Sequence, residues 1–275
     1  MSFINTHQVI SYLKYYSRAK TIYSVHSPFM YEIIKELVQN KKGYYAFIEI
    51  EQLKRRLSID QKQINLQDLG AGSKTRQSNQ KTVSEILKTS VSSDQKCKIL
   101  FHLSRVLKPR LSLELGTSLG ISAMSIAQGD PQMTLHTIEG DPQLRNIAQS
   151  HFQSKKLKII SHQGSFDEIL PNLLADVHKI DFVFIDGNHT YESTIRYHQM
   201  IKPKLSENAV ILYDDIYWSK GMTDAWLDLK ADPDFQFSLD LFNFGILFKR
   251  ADEVKKQDFT IIQSIKKPWH TGLYG

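Results

Sequence analysis

Cysteine is nearly absent from this 275-residue chain: Cys97 stands alone. No intramolecular disulfide can form, which points to a reducing compartment. No stretch approaches the ~20 apolar residues of a membrane-crossing helix, and no membrane partner is expected. The opening "MSFINTHQVISYLKYYSRAK" has no continuous apolar core and no small-residue cleavage site. A secretory signal is therefore not expected, and a cytoplasmic location is. Low-complexity tracts and internal repeats are missing, which excludes disordered and solenoid classes. Runs of five or more basic residues are missing too, which disfavours a nucleic-acid partner.

What is present is an ordinary globular composition, 41% hydrophobic and 23% charged. The length allows one large α/β domain with a smaller appendage. The net charge of +6 is unevenly placed. Residues 1–110 hold 19 Lys/Arg against 8 Asp/Glu, and the remainder holds 16 against 21. A basic first part suits an anionic partner such as RNA, a phosphorylated sugar or a membrane surface. The scatter of these bases among apolar positions favours a solvated helical face instead.

From residue 111 onward short apolar runs alternate with amphipathic stretches. Strands are expected at 111–115, 134–139, 157–161, 180–186 and 209–213. Helices are expected at 121–128, 142–152, 166–174, 191–204 and 221–230. This alternation predicts a parallel sheet with helices on both faces. Two further runs, 235–241 and 244–249, lie too close together for a crossover and should form an antiparallel hairpin. The expected fold is α/β: a Rossmann-like, seven-stranded, mostly parallel sheet whose last strand is antiparallel. Residues 1–90 carry helical spacing, with Phe47, Ile50, Leu53 and Leu57 on one face of "FIEIEQLKRRL". They are expected to form a helical cap, followed by a domain over 91–250 and a polar tail over 251–275. One more helix, over 94–108, leads into the first strand.

Two stretches resemble the glycine turn of a nucleotide site. "LSLELGTSLGIS" sits where a first strand ends and a first helix begins, with Gly116 and Gly120 flanking the turn. About twenty residues on, the second strand ends in Glu139, where a carboxylate can accept both hydroxyls of a ribose. The NAD fingerprint needs G-x-G-x-x-G. Here Thr117, Ser118 and Leu119 follow Gly116. Fewer glycines leave less room for a pyrophosphate against the backbone, and a cofactor without phosphates does not need that room. The other stretch, "LQDLGAGSKT", is followed by no second strand with an acidic end. Gly70 and Gly72 therefore read as a loop in the cap or a loop over the mouth of the site.

"LELGTSLGIS", "TIEGDP", "GSFDEILPNL", "DFVFIDGNHTYE" and "VILYDDI" follow one another in the order seen in class I S-adenosylmethionine (SAM)-dependent methyltransferases. The chain resembles the catechol-type small-molecule O-methyltransferases over about residues 94–250. The resemblance implies SAM as cofactor and a small-molecule hydroxyl as acceptor. It implies that Glu114, Gly116 and Gly120 shape the methionine pocket and that Ser122 holds the methionine carboxylate. Glu139 would bind the ribose, and Ser165 and Phe166 would lie along the adenine.

Asp186 ends the fourth strand, and Asp214 and Asp215 end the fifth. Three carboxylates there suit a hard divalent cation such as Mg²⁺. The resembling enzymes place acids at Asp186 and Asp214, and Asn at Asp215. Without metal, the same acids would orient substrate or cap helices. His189, where those enzymes carry a lysine, is a candidate base toward a substrate hydroxyl, with Asp186 beside it. Its plainer reading is a histidine that steadies a turn. His26 and Trp218 are weaker candidates for the acceptor pocket.

Three rivals stand beside a small-molecule O-methyltransferase. A dehydrogenase is disfavoured by the missing middle glycine. RNA methylation is kept open by the basic cap, whereas base N-methylation lacks its N/D-P-P-Y motif. A non-catalytic SAM-binding module is the third. A homo-oligomer is compatible with the sequence but not specified by it.

Overall fold

The structure is a computed structural model that describes residues 6–66, 80–90 and 93–268. The chain opens with α1 (Thr6–Arg18), α2 (Pro28–Val38) and α3 (Tyr45–Ser58). Two short strands follow, β1 (Gln63–Asn65) and β2 (Gln80–Thr82), then α4 (Val83–Ser90) and α5 (Asp94–Leu107). The alternating part comprises β3 (Leu111–Leu115), α6 (Ile121–Gly129), β4 (Thr134–Glu139), α7 (Pro142–Lys155), β5 (Ile159–Gln163) and α8 (Phe166–Asp176). It continues through β6 (Ile180–Ile185), α9 (Tyr191–Ile201), β7 (Leu205–Asp214) and α10 (Lys220–Ala231). The last strands are β8 (Phe237–Asp240), β9 (Phe244–Phe248) and β10 (Gln257–Thr260).

The helix starts follow from their capping residues. Ser27 precedes Pro28 and accepts from the Met30 N–H. Asp141 precedes Pro142 and accepts from the N–H groups of Gln143 and Leu144 at 2.8 and 3.0 Å, as an Asp-Pro helix start requires. Thr190 caps α9 through the Ser193 N–H. Pro203 falls in a 3₁₀ turn, Lys202–Lys204, so α9 ends three residues earlier than its spacing predicts.

An eight-stranded, mostly parallel Rossmann-like sheet organises the chain, which divides into two compact units. In the unit Lys41–Ile180, β3 pairs parallel with β4, and β4 with β5. Glu114 lies opposite Thr137, and Glu139 opposite Gln163. From Ser112 to Leu115 every residue of β3 is buried, the pattern of a strand covered on both faces. In this unit α3 buries Ile50, Leu53 and Leu57, as its apolar stripe predicts, and Phe47 packs on Tyr44 and Phe101.

The other unit joins Met1–Asn40 to Asp181–Gly275, with strand order β10-β8-β9-β7-β6. β9 runs antiparallel to both β7 and β8. The expected hairpin is thus present, turning through Phe242 at φ 71°. Gly245 on β9 lies so close to the Trp226 ring of α10 that an added Cβ would sit 2.6 Å from it. Glycine at this position lets the helix pack on the strand.

Two expectations need correction. The sheet has eight strands and not seven, because residues 257–260, in the stretch expected to be a polar tail, form β10 parallel to β8. The reversed strand is therefore not the last. The first ninety residues are also not wholly helical, since β1 and β2 pair antiparallel. The Gly70 and Gly72 stretch lies outside the described residues. No described helix is long and apolar enough to cross a membrane.

Candidate cofactor-binding site

The turn after β3 holds three left-handed residues in five: Gly116 (φ 102°), Ser118 (φ 47°) and Gly120 (φ 80°). Glycine adopts these angles without penalty, whereas serine pays about 1 kcal/mol. At Ser118 a charged hydrogen bond offsets that strain: its N–H donates to Glu139 Oε2 at 2.7 Å. The Gly116 N–H donates to the Ile138 carbonyl at 3.1 Å, and the Gly120 N–H to the Thr117 carbonyl at 2.8 Å. Gly120 also caps α6 and packs on α7. A Cβ there would sit 2.8 Å from the Phe152 ring and 2.9 Å from Ala148 Cβ. Both glycines named from the sequence thus carry a demand of backbone or space.

Glu139 stands at the end of β4 with both oxygens engaged by backbone. Oε2 takes the Ser118 N–H, and Oε1 takes the Asp141 N–H at 3.0 Å. Burial pushes its carboxyl above the usual range, and these N–H groups pull the other way. Each oxygen keeps a second lone pair. The carboxylate is therefore fixed in direction and still able to accept from a ligand's hydroxyls.

Glu114 is fully buried. Its Oε2 accepts from the Thr137 hydroxyl at 2.6 Å, and Thr137 in turn contacts Thr117. Its Oε1 is buried and accepts no well-formed hydrogen bond among the described residues, although the Ser122 hydroxyl acts on the carboxyl. Burial raises its pKa to about 7, against the hydroxyls of Ser122 and Thr137 and with the charge of Glu139 adding to the rise. An unsatisfied buried carboxylate oxygen costs stability, and a cationic ligand group would relieve it. Ser122 is buried in the first turn of α6.

After β5, Gly164 (φ 142°) ties the next loop to β4, its N–H donating to the Glu139 carbonyl at 3.0 Å. Ser165 then caps α8 in a reciprocal pair with Glu168, at 3.3 and 3.2 Å. Its hydroxyl is thus a helix cap first, and the half-buried Phe166 follows it. All seven residues expected to shape a cofactor site lie in the unit Lys41–Ile180.

The acidic candidates lie in the other unit. His189 Nε2 stands 3.6 Å from Asp186 Oδ1, in a loop where Asn188 has φ 56° and donates to the Tyr197 hydroxyl. Asp214 is buried at the end of β7. Asp215 is half-buried in left-handed backbone (φ 51°), its N–H donating to the Asn243 carbonyl at 2.9 Å. Asp214 and Asp215 therefore do not share one environment. Among the described residues no three His, Cys, Asp or Glu side chains are grouped so as to hold a metal ion. Asp186, Asp214 and Asp215, the expected trio, form no such group. Trp218 is half exposed and His26 is exposed.

Sequence reasoning missed Thr137. Its signal was a polar residue in an apolar strand, in register with Glu114. The Ser118 N–H had no such signal, because any residue would supply it.

Residues 113–216 match the family model described as a methyltransferase domain. Over this segment the chain is similar to a methyltransferase domain. It begins one residue before Glu114 and runs past Asp215, leaving Trp218 and His26 outside. Among solved structures, the fold is shared with the O-methyltransferase TomG from Streptomyces achromogenes in complex with SAM (18% identity, TM-score 0.55), covering 76% of this chain and 91% of that one. It is shared with an O-methyltransferase from Bacillus cereus in complex with SAH (16% identity, TM-score 0.54), with the same coverage, 76% and 91%. The SAH-bound methyltransferase PaMTH1 from Podospora anserina is similar over 92% of this chain and 98% of its own (15% identity, TM-score 0.55). At such identities the likeness establishes the fold. The comparison with curated proteins gives no match.

Proposed function

We propose that this methyltransferase domain uses SAM to methylate a hydroxyl of a small molecule. The observation that carries the reading is the pair of carboxylates at the turn. Glu139 is aimed by two backbone N–H groups, and Glu114 keeps a buried oxygen unsatisfied. A ribose diol suits the first, and an ammonium group suits the second. Gly116, Gly120 and Ser122 complete the methionine end, and Ser165 and Phe166 lie along the adenine. The solved relatives that share the fold and carry SAM or SAH support this assignment.

SAM supplies an electrophilic methyl group on a sulfonium, so the protein's part is alignment and proton removal. His189 is the proposed base toward the acceptor hydroxyl. The acceptor's proton goes to His189 Nδ1, because Nε2 is the nitrogen that faces the Asp186 carboxylate at 3.6 Å. Asp186, Asp214 and Asp215 are assigned no metal step. The functional division we adopt is a cap (1–90), a methyltransferase domain (91–250) and a C-terminal segment (251–275) that adds β10 to the sheet, in a cytoplasmic protein.

Calorimetric titration with SAM tests the reading. Glu139→Ala should weaken binding by about 1–3 kcal/mol, because the diol loses a charged acceptor. Unchanged affinity would remove Glu139 from the site. A turnover screen with labelled methyl donor against phenols, sugars and small RNAs then tests the acceptor class. Label entering only RNA would overturn the small-molecule assignment.

A further inference from the structure

Helix α1 is buried on one side only. Ser11 and Tyr15 are buried, and Tyr15 donates to the Ile261 carbonyl. His7 meets the Thr223 hydroxyl at 3.0 Å, and the Tyr16 hydroxyl donates to the Lys266 carbonyl at 3.0 Å. The opposite side is apolar yet open. Val9, Ile10 and Leu13 are 45%, 48% and 63% exposed, and Tyr12 is beside them at 37%. At 3.6 residues per turn these positions centre nearly opposite Ser11 and Tyr15. Ile265, next to Lys266, is exposed as well. Scattered apolar residues on a surface need no explanation, but a contiguous helical face does.

The charge on this segment has one sign. Lys14, Arg18 and Lys20 are exposed on or just after α1. No Asp or Glu occurs before Glu32. The Arg18 charge acts on the buried Asp240, and the segment itself offers Lys14 and Lys20 no acid. A second copy of the chain is a poor occupant. A two-fold interface sets the same patch against itself, and would bring these bases together with no acid in the segment to offset them. An anionic lipid surface reverses that repulsion and takes up the apolar side chains.

We propose that α1 lies on anionic membranes, with Val9, Ile10 and Leu13 in the acyl boundary and Lys14 and Lys20 among the phosphates. The sequence led to an expectation of no membrane partner because no spanning run exists. Attachment in the interface plane needs none. The proposal stands independently of the cofactor and acceptor assignments.

The test is co-sedimentation of the full chain with vesicles of phosphatidylcholine alone, or of phosphatidylcholine mixed equally with phosphatidylglycerol. The protein should pellet with the mixed vesicles and at least ~10-fold less with the neutral ones. Leu13→Asn should weaken binding by roughly tenfold or more. Lys14→Glu with Lys20→Glu should weaken it by at least about fivefold per base. These side chains are exposed, and circular dichroism should show both variants folded. Equal pelleting with the two vesicles overturns the proposal, and so does pelleting that Leu13→Asn leaves intact. Failure to pellet, with the wild type eluting as a dimer that Leu13→Asn dissociates, overturns it in favour of a second copy.

Discussion

Replacing Glu114 by glutamine should change how stability depends on pH. The carboxyl is fully buried, and its pKa is about 7 against an ordinary 4.5. At pH below 4.5 the group is protonated whether the chain is folded or not. Between 4.5 and 7 the unfolded chain releases the proton while the folded chain keeps it, so stability falls as pH rises. Above 7 the loss is complete. Each pH unit of that window is worth about 1.4 kcal/mol, so the total is about 3 kcal/mol. Glutamine keeps an acceptor for the Thr137 hydroxyl and carries no charge. A constant cost of its buried amide would shift the curve without tilting it. Urea unfolding of both proteins from about pH 5 to about pH 8 reads the difference. Glu114→Gln should gain on the wild type by about 3 kcal/mol across the range. Other raised carboxyls, Glu139 and Asp240, are common to both chains and cancel. Parallel profiles would refute the burial argument. The same group tests the cofactor assignment. A cation at Oε1 favours the charged carboxylate, so SAM binding within that pH window should release a proton. Calorimetry in two buffers of different ionisation enthalpy detects the release. Binding with no proton released would take Glu114 out of contact with the ammonium.

Three further outcomes are expected. Gly120→Ala puts a Cβ into left-handed backbone against Phe152 and Ala148. It should destabilise the fold by about 2–5 kcal/mol, and an unchanged Tm would contradict the close approach. His189→Ala should lower kcat by roughly 10²–10⁴ with SAM affinity intact; full turnover would dismiss it as base. Treatment with a chelator should leave turnover unchanged, since Asp186, Asp214 and Asp215 form no metal-holding group. Loss of activity restored by Mg²⁺ would overturn that reading of the acids.

The sheet was legible where burial on both faces turns a strand into an unbroken apolar run. β6 and β9 are examples, buried along nearly their whole length. It was illegible where a strand pairs on one side only. β10 has one apolar residue in four; among strands it neighbours β8 alone, with only the single residue Lys20 bridging on its other side. An edge strand keeps polar side chains and so loses its period. β1 and β2, at three residues each, are too short to show any period.

The site divides along a different line. A sequence names side chains, and so Glu114, Glu139 and the two glycines were visible. The contacts that set their chemistry come from backbone, through the N–H groups of Ser118 and Asp141 at Glu139. The acids at the strand ends show the converse. Asp214 and Asp215 are neighbours in sequence, and the pattern alone lets them converge on one cation. The backbone between them passes from extended to left-handed, which leaves one carboxylate buried and the other half-buried. Neighbours in sequence thus need not share one degree of burial. Glu114 and Thr137, 23 residues apart, do share a site, because strand register and not sequence distance brings them together.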